Sequence, residues 1–150
     1  MSDDICFQSA TSLGRRLRSG ELDALSLCEQ FLARIRRLDP RLNAFRTCLE
    51  ERALAAAEAA DRQLRAGICL GPLHGVPYAT KDLFDVAGEV TTAGSRVLEQ
   101  NTVSRDATVT AKLAAAGTIL LGKTQTVEFA FGSVGVNHSH GTPHNPWAAA

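Results

Sequence analysis

Between residues 9 and 65 the apolar positions recur every three or four residues in three separate stretches, the period of helices that bury one face. Ser9 is placed to cap the first, with Ala10, Leu13 and Leu17 on its apolar side and Gly20 at its end. Asp23 is placed to cap the second, whose stripe of Cys28, Phe31, Ile35 and Leu38 runs to Asp39-Pro40, where a helix is expected to stop. The third runs from Glu51 to Arg65, with Ala53, Ala56, Ala57, Ala60 and Leu64 inward and the pairs Glu58/Arg62 and Asp61/Arg65 outward. An alanine face lets helices approach closely but buries little area, which marks this helix as scaffold. Leu42 to Thr47, with Phe45 and Thr47, predicts a strand between the second and third helices.

After Gly67 the period changes. Val76 to Thr80 reads as a short extended run, bracketed by Gly71-Pro72, Gly75 and Pro77, with Lys81 at its end. Thr91-Thr92-Ala93-Gly94-Ser95 is small and hydroxylated, as in a loop that a ligand can approach closely. A helix capped by Asp106, with Val109, Leu113 and Ala116 inward, ends at Gly117, and Thr118 to Leu121 then reads as a buried strand. Strand, helix, glycine, strand is a βαβ rhythm. A single helical turn is expected at Val127 to Phe131, followed by a polar loop carrying His138, His140 and His144.

The bulk composition narrows the class. A chain of 150 residues with 45% apolar and 21% charged residues is a folded unit with a real core. Sixteen basic and sixteen acidic residues cancel, so no net field draws the chain to nucleic acid or to an anionic membrane. Cys6, Cys28, Cys48 and Cys69 form no C-x-x-C pair, which argues against a zinc knuckle or a dithiol redox site, and Cys28 falls on a core face. The acidic start Met1-Ser2-Asp3-Asp4 is unlike a secretory signal, and no apolar run reaches bilayer length; a cytoplasmic location is expected.

Three features could carry chemistry. Lys81 stands where a strand meets a loop, and a lysine partly withdrawn from water can serve as a neutral base. Asp82 and Asp85 follow it, and a carboxylate in contact would keep the amine charged; strand alternation turns Asp82 away, as a turn or cap residue. Gly117 to Thr124 matches the phosphate-loop pattern G-x-x-x-x-G-K-[ST] letter for letter. Its intervening Thr-Ile-Leu-Leu, however, wants to be a strand and not a nest of exposed amides, so nucleotide binding is rejected and Lys123 is read as a strand-end lysine outside the chemistry. His138, His140 and His144 are spaced so that they could face one metal, but the glycine and prolines among them suggest an irregular loop in which they pack and hydrogen-bond. No metal or cofactor is expected.

Pro-Leu-His-Gly-Val-Pro-Tyr-Ala-Thr-Lys-Asp from 72, Thr-Thr-Ala-Gly-Ser from 91 and Ala-Ala-Gly-Thr-Ile-Leu-Leu-Gly-Lys-Thr from 115 stand in one order with Glu-Phe-Ala-Phe-Gly from 128 and Gly-Thr-Pro-His-Asn-Pro-Trp from 141. Together they resemble the amino-terminal part of the amidase signature family. The resemblance implies an α/β fold, a mixed sheet flanked by helices, with residues 1–70 as an amino-terminal helical layer and 71–150 as the start of the amidase core, all in one domain. It also implies hydrolysis of a small-molecule amide by a Ser-cisSer-Lys triad, with Lys81 as its lysine and Phe131, Gly132 and Ser133 near the acyl group of the substrate. Both family serines belong to a Gly-Gly-Ser-Ser-Gly-Gly-like segment that residues 1–150 do not contain, and Ser95, Ser104, Ser133 and Ser139 do not replace it. The chain is therefore expected to be a fragment, inactive alone and prone to self-association through an open sheet edge. The alternatives are a non-catalytic remnant and a subunit-like transamidation partner.

Overall fold

The computed structural model describes residues 3–147. A 3-10 turn over Asp3–Phe7 precedes α1 (Ala10–Arg18), α2 (Ala24–Leu42), β1 (Phe45–Cys48) and α3 (Glu50–Arg65). Then come β2 (Pro77–Lys81), α4 (Thr108–Ala115) and β3 (Ile119–Thr124), with short 3-10 turns at Arg96–Leu98 and Glu128–Ala130. The three strands form one sheet in the order β1-β3-β2. β1 runs antiparallel to β3, with Phe45 opposite Thr124 and Cys48 opposite Gly122. β2 runs parallel to it, because the rungs Ile119 N–H to Val76 O (3.0 Å) and Asp82 N–H to Thr124 O (2.9 Å) advance the same way along both strands. β2, α4 and β3 thus realise the expected βαβ unit, and the fold is the α/β class with a mixed sheet.

The chain divides into two compact units: Met1–Ile35 with Leu49–Tyr78 and Leu113–Leu121, and Arg36–Cys48 with Ala79–Lys112 and Gly122–Ala150.

In the first unit, Leu13, Leu17, Leu27, Cys28 and Leu32 pack with Ala53, Ala57, Ala60, Val76, Ile119 and Leu121 as the hydrophobic core. The alanines of α3 let it lie against α2, as their spacing predicts. Ser9 caps α1 by accepting from Ser12 N–H at 3.1 Å, and Asp23 caps α2 by accepting from Ser26 N–H at 2.8 Å.

Three expectations change in detail. The centre of the α2 face is Leu27, Cys28 and Leu32, with Phe31 and Ile35 only partly buried. Asp61 does not lie outward beside Arg65; it is buried, and its carboxylate accepts from Ala24 N–H (2.7 Å) and Leu25 N–H (3.0 Å), two otherwise orphaned donors at the start of α2. Pro40 does not stop α2, which continues to Leu42. The helix ends through Asn43, at φ 48°, and through Asp39, whose Oδ1 accepts from Ala44 N–H and Phe45 N–H and turns the chain into β1.

α4 starts at Thr108 and buries Thr110, while Val109 is exposed. The Asp106 carboxylate accepts instead from Ala87 N–H, at 2.7 Å. The glycine before β3 is needed for two reasons: Gly117 has φ +74°, and a Cβ there would lie 2.4 Å from Cδ2 of the buried His74.

Asp61→Ala is expected to cost about 1–2 kcal/mol in urea unfolding, because two helix-start donors lose their acceptor. His74 carries a pH signature. Burial holds its imidazole below the ordinary value of 6.5, so as pH falls past 6.5 the unfolded chain takes up a proton that the folded chain resists. Stability contributed by His74 is therefore complete above 6.5 and declines through the window below it, and His74→Gln should flatten that part of a stability-against-pH curve.

Candidate active site

β2 delivers Lys81 to the second unit at the last position of the strand, and the turn that follows is closed by Phe84 N–H donating to Lys81 O at 3.0 Å. The Lys81 side chain is half-buried and, among the described residues, makes no ion pair or hydrogen bond. Its neighbour Asp82 is buried. Strand alternation anticipates that difference; the role expected for Asp82 as a turn or cap residue is corrected, because its carboxylate is the anion of an internal ion pair.

The cation is Lys123. Its side chain is 1% exposed, and Nζ lies 2.7 Å from Asp82 Oδ1. The same ammonium donates to Val90 O at 2.8 Å and to Thr91 Oγ1 at 2.7 Å, whereas its contact with Asp82 Oδ1 is an ion pair without hydrogen-bond geometry. Asp82 Oδ2 accepts from Thr92 N–H at 3.2 Å and from the Thr92 hydroxyl, which in turn accepts from Gly94 N–H at 3.0 Å. Two buried charges are tolerable on such terms, paired and with their remaining sites engaged. Lys123, read as a strand-end lysine, is the fifth of six residues of β3 and is internal.

The segment Thr91–Ser95 is buried throughout, so it is not a surface loop open to a ligand from all sides. Ala93 (φ 50°) and Gly94 (φ 72°) turn it tightly, and a Cβ on Gly94 would sit 2.7 Å from Thr126 O and 2.8 Å from Asn137 Nδ2. Asn137 pins that turn: its amide donates to Gly94 O and Thr126 O, and its Oδ1 accepts from Ser139 N–H and His140 N–H. Ser95 is buried and caps the 3-10 turn at Arg96–Leu98 by accepting from Val97 N–H.

Phe131 is 92% exposed and, with Val127, Phe129, Val136 and Asn137, borders a cavity of about 330 Å³. Gly132 and Ser133 are exposed and outside that lining. The single turn expected at Val127 to Phe131 is present at Glu128–Ala130, kinked by Phe129 at φ 52°. The histidines do not gather: His138 and His144 are exposed, whereas the His140 side chain is nearly buried, with Nδ1 3.8 Å from Glu99 Oε1. No cluster of metal-ligating side chains is formed among the described residues, and no helix among them is long and apolar enough to cross a membrane.

Comparison with known proteins places these features. The model of the amidase family matches residues 26–150. The chain belongs to the amidase family. It is 44% identical over 144 residues to one subunit of the glutamyl-tRNA(Gln) amidotransferase of Streptomyces coelicolor, covering 96% of this chain and 29% of that protein. Among solved structures it is similar to the peptide amidase of Stenotrophomonas maltophilia (TM-score 0.87, 35% identity, 95% of this chain and 31% of that one). It is also similar to a bacterial aryl acylamidase of the amidase signature enzymes (TM-score 0.89, 27% identity, 95% and 30%). The chain therefore spans about 30% of the length of these amidase-family relatives. The phosphate-loop pattern is accounted for within this fold, since Ile119 to Thr124 is strand β3 and Lys123 is internal.

What sequence reasoning missed here is the internal partnership of Lys123 and Asp82 with Thr91 and Thr92. One signal was available for Lys123: a charged residue inside a strand buried along its length requires an internal counter-charge. Lys123→Met is expected to destabilise by about 3–5 kcal/mol, because the Asp82 carboxylate stays buried alone. Lys123→Met with Asp82→Asn should cost clearly less, which urea unfolding of the three proteins will measure.

Proposed function

We propose that residues 1–150 are the lysine-bearing portion of an amide hydrolase that works by a Ser-cisSer-Lys acyl-enzyme cycle, with Lys81 as the base. The observation that carries this reading is the state of Lys81: half-buried at a strand end, unpaired among the described residues, while the nearest carboxylate in sequence is bound to another lysine. In the cycle, the neutral Lys81 amine takes a proton from a bridging serine, which takes one from the nucleophilic serine as its oxygen attacks the amide carbonyl carbon. Backbone N–H groups hold the oxyanion, the C–N bond breaks as the nitrogen receives the proton, and water then cleaves the ester to release the acid. Both serines belong to a glycine-rich segment that residues 1–150 do not contain.

The substrate is a small-molecule amide, with Phe131, Gly132 and Ser133 assigned to the side that receives its acyl group. The cavity beside Phe131 supports that assignment for the phenylalanine. A balanced charge supports a substrate that is not a polyanion, and cysteines without a pairing pattern support a cytoplasmic location. A second reading, in which the protein releases ammonia for a partner protein, is favoured by the likeness to one component of an amidotransferase.

Residues 1–150 alone are expected to release no ammonia from simple aliphatic or aromatic amides, as a coupled ammonia assay will show. In the chain extended by the serine segment, Lys81→Ala should lower turnover by about 10²–10⁴-fold with substrate affinity retained. Lys81→Arg should give no rescue, because a guanidinium does not deprotonate. Near-normal turnover of the Lys81→Ala enzyme would overturn the proposal.

A further inference from the structure

Asp82 follows Lys81 directly, so its carboxylate is the anion closest to Lys81 along the chain. An ammonium in contact with a carboxylate is stabilised in its charged form and cannot accept a proton. A base at position 81 thus has a hazard built into the adjacent residue, and the fold must put that charge somewhere.

The ion pair does so. Lys123 Nζ stands 2.7 Å from Asp82 Oδ1, and Thr92 takes Oδ2 with both its N–H and its hydroxyl. We infer that Lys123 is a positioning residue for Lys81: by holding Asp82 inside the fold it withholds that carboxylate from the adjacent lysine. Two further acids that follow Lys81 in the chain are engaged elsewhere. Asp106 accepts from Ala87 N–H, and Glu89 has a partner of its own. The Asp85 carbonyl binds Ala107 N–H and the Thr110 hydroxyl, which fixes its backbone against the start of α4. From β3 the only charged group is Lys123, and the loop before Ser95 offers Val90 O and the hydroxyls of Thr91 and Thr92. The inference rests on the reading of Lys81 as the base, and it gives Lys123 a function that a merely structural lysine would not have.

The chain has three lysines, Lys81, Lys112 and Lys123, of which Lys112 is exposed on α4 and serves as an internal standard. Limiting acetic anhydride acylates only neutral amines, and mass spectrometry of the peptides gives the Lys81 to Lys112 labelling ratio at each pH. In Lys123→Met the ratio at about pH 8 is expected to fall roughly tenfold, with the deficit closing as pH rises past about 10.4, where lysines lose their protons anyway. An unchanged ratio, or a deficit that persists at high pH and so reflects access and not charge, would overturn the inference.

Where Lys123→Met does not fold by circular dichroism, Lys123→Met with Asp82→Asn decides. That protein replaces a neutral pair by a neutral pair, and its ratio should stay within about twofold of the unmodified chain across the range, well under the roughly tenfold fall expected of Lys123→Met. A several-fold rise would mean that Asp82 already acts on Lys81 and would sink the idea. The labelling needs no turnover, so its failure is distinct from failure of the base reading, which Lys81→Ala in the extended enzyme tests separately.

Discussion

The pairing of Lys123 with Asp82 is the constraint on which the second unit depends. Each ion would be costly to bury alone, so neither can be inside without the other, and both are inside. The pair fixes three pieces of chain at once: the residue after β2, the fifth residue of β3, and the segment from Val90 to Thr92, whose carbonyl and hydroxyls complete the shell. From Thr92 the order passes to Gly94, and Asn137 holds Gly94 from the other side. A loop of small hydroxylated residues is thereby made rigid without an apolar core of its own, which is how a polar segment can stay buried next to a strand that ends in Lys81.

How much of this was legible depends on the range of the interaction that sets each feature. Ser9 and Asp23 as caps, β2 ending at Lys81 and the strand after Gly117 are written in spacing within a few residues, and each is found where the pattern put it, whereas the faces of α2 and α4 are shifted by packing from other elements. Asp61 was misplaced because the four-residue rule gave it a plausible partner in Arg65, while its real partners are amides of another helix. Pro40 does not stop α2, because a proline in the last turn removes a donor while Asp39 and Asn43 finish the helix two to three residues on. The role of Lys123 was hidden for the same reason in a sharper form, since its partners lie 32 and 33 residues away in the loop and further still at Asp82. In the candidate site the position of Lys81 at the end of β2 follows from the motif around it, whereas Phe131, Gly132 and Ser133 came from resemblance; of these three only Phe131 borders the cavity.

The share of the relatives that the chain spans gives context to its surface. Phe131 and Trp147 are almost fully exposed, and Val97 nearly so, although aromatic and branched side chains of this size are costly to leave in water. In the matched relatives about 70% of the chain lies outside the part that resembles this one, on the 29–31% coverage found. β2 lies at an edge of the three-stranded sheet, so Lys81 stands at the end of a strand whose outer backbone groups are available to a further strand.

Two aspartates serve the first turn of α2, and they act over very different distances. Asp23 accepts from Ser26 three residues on, whereas Asp61 reaches Ala24 from 37 residues away on α3. The local contact can form as soon as the turn itself does; the remote one must wait until a long intervening loop has closed and α3 has docked. The start of α2 is therefore held at once by its own sequence and by a part of the chain far along it, so its stability depends on α3 being in place.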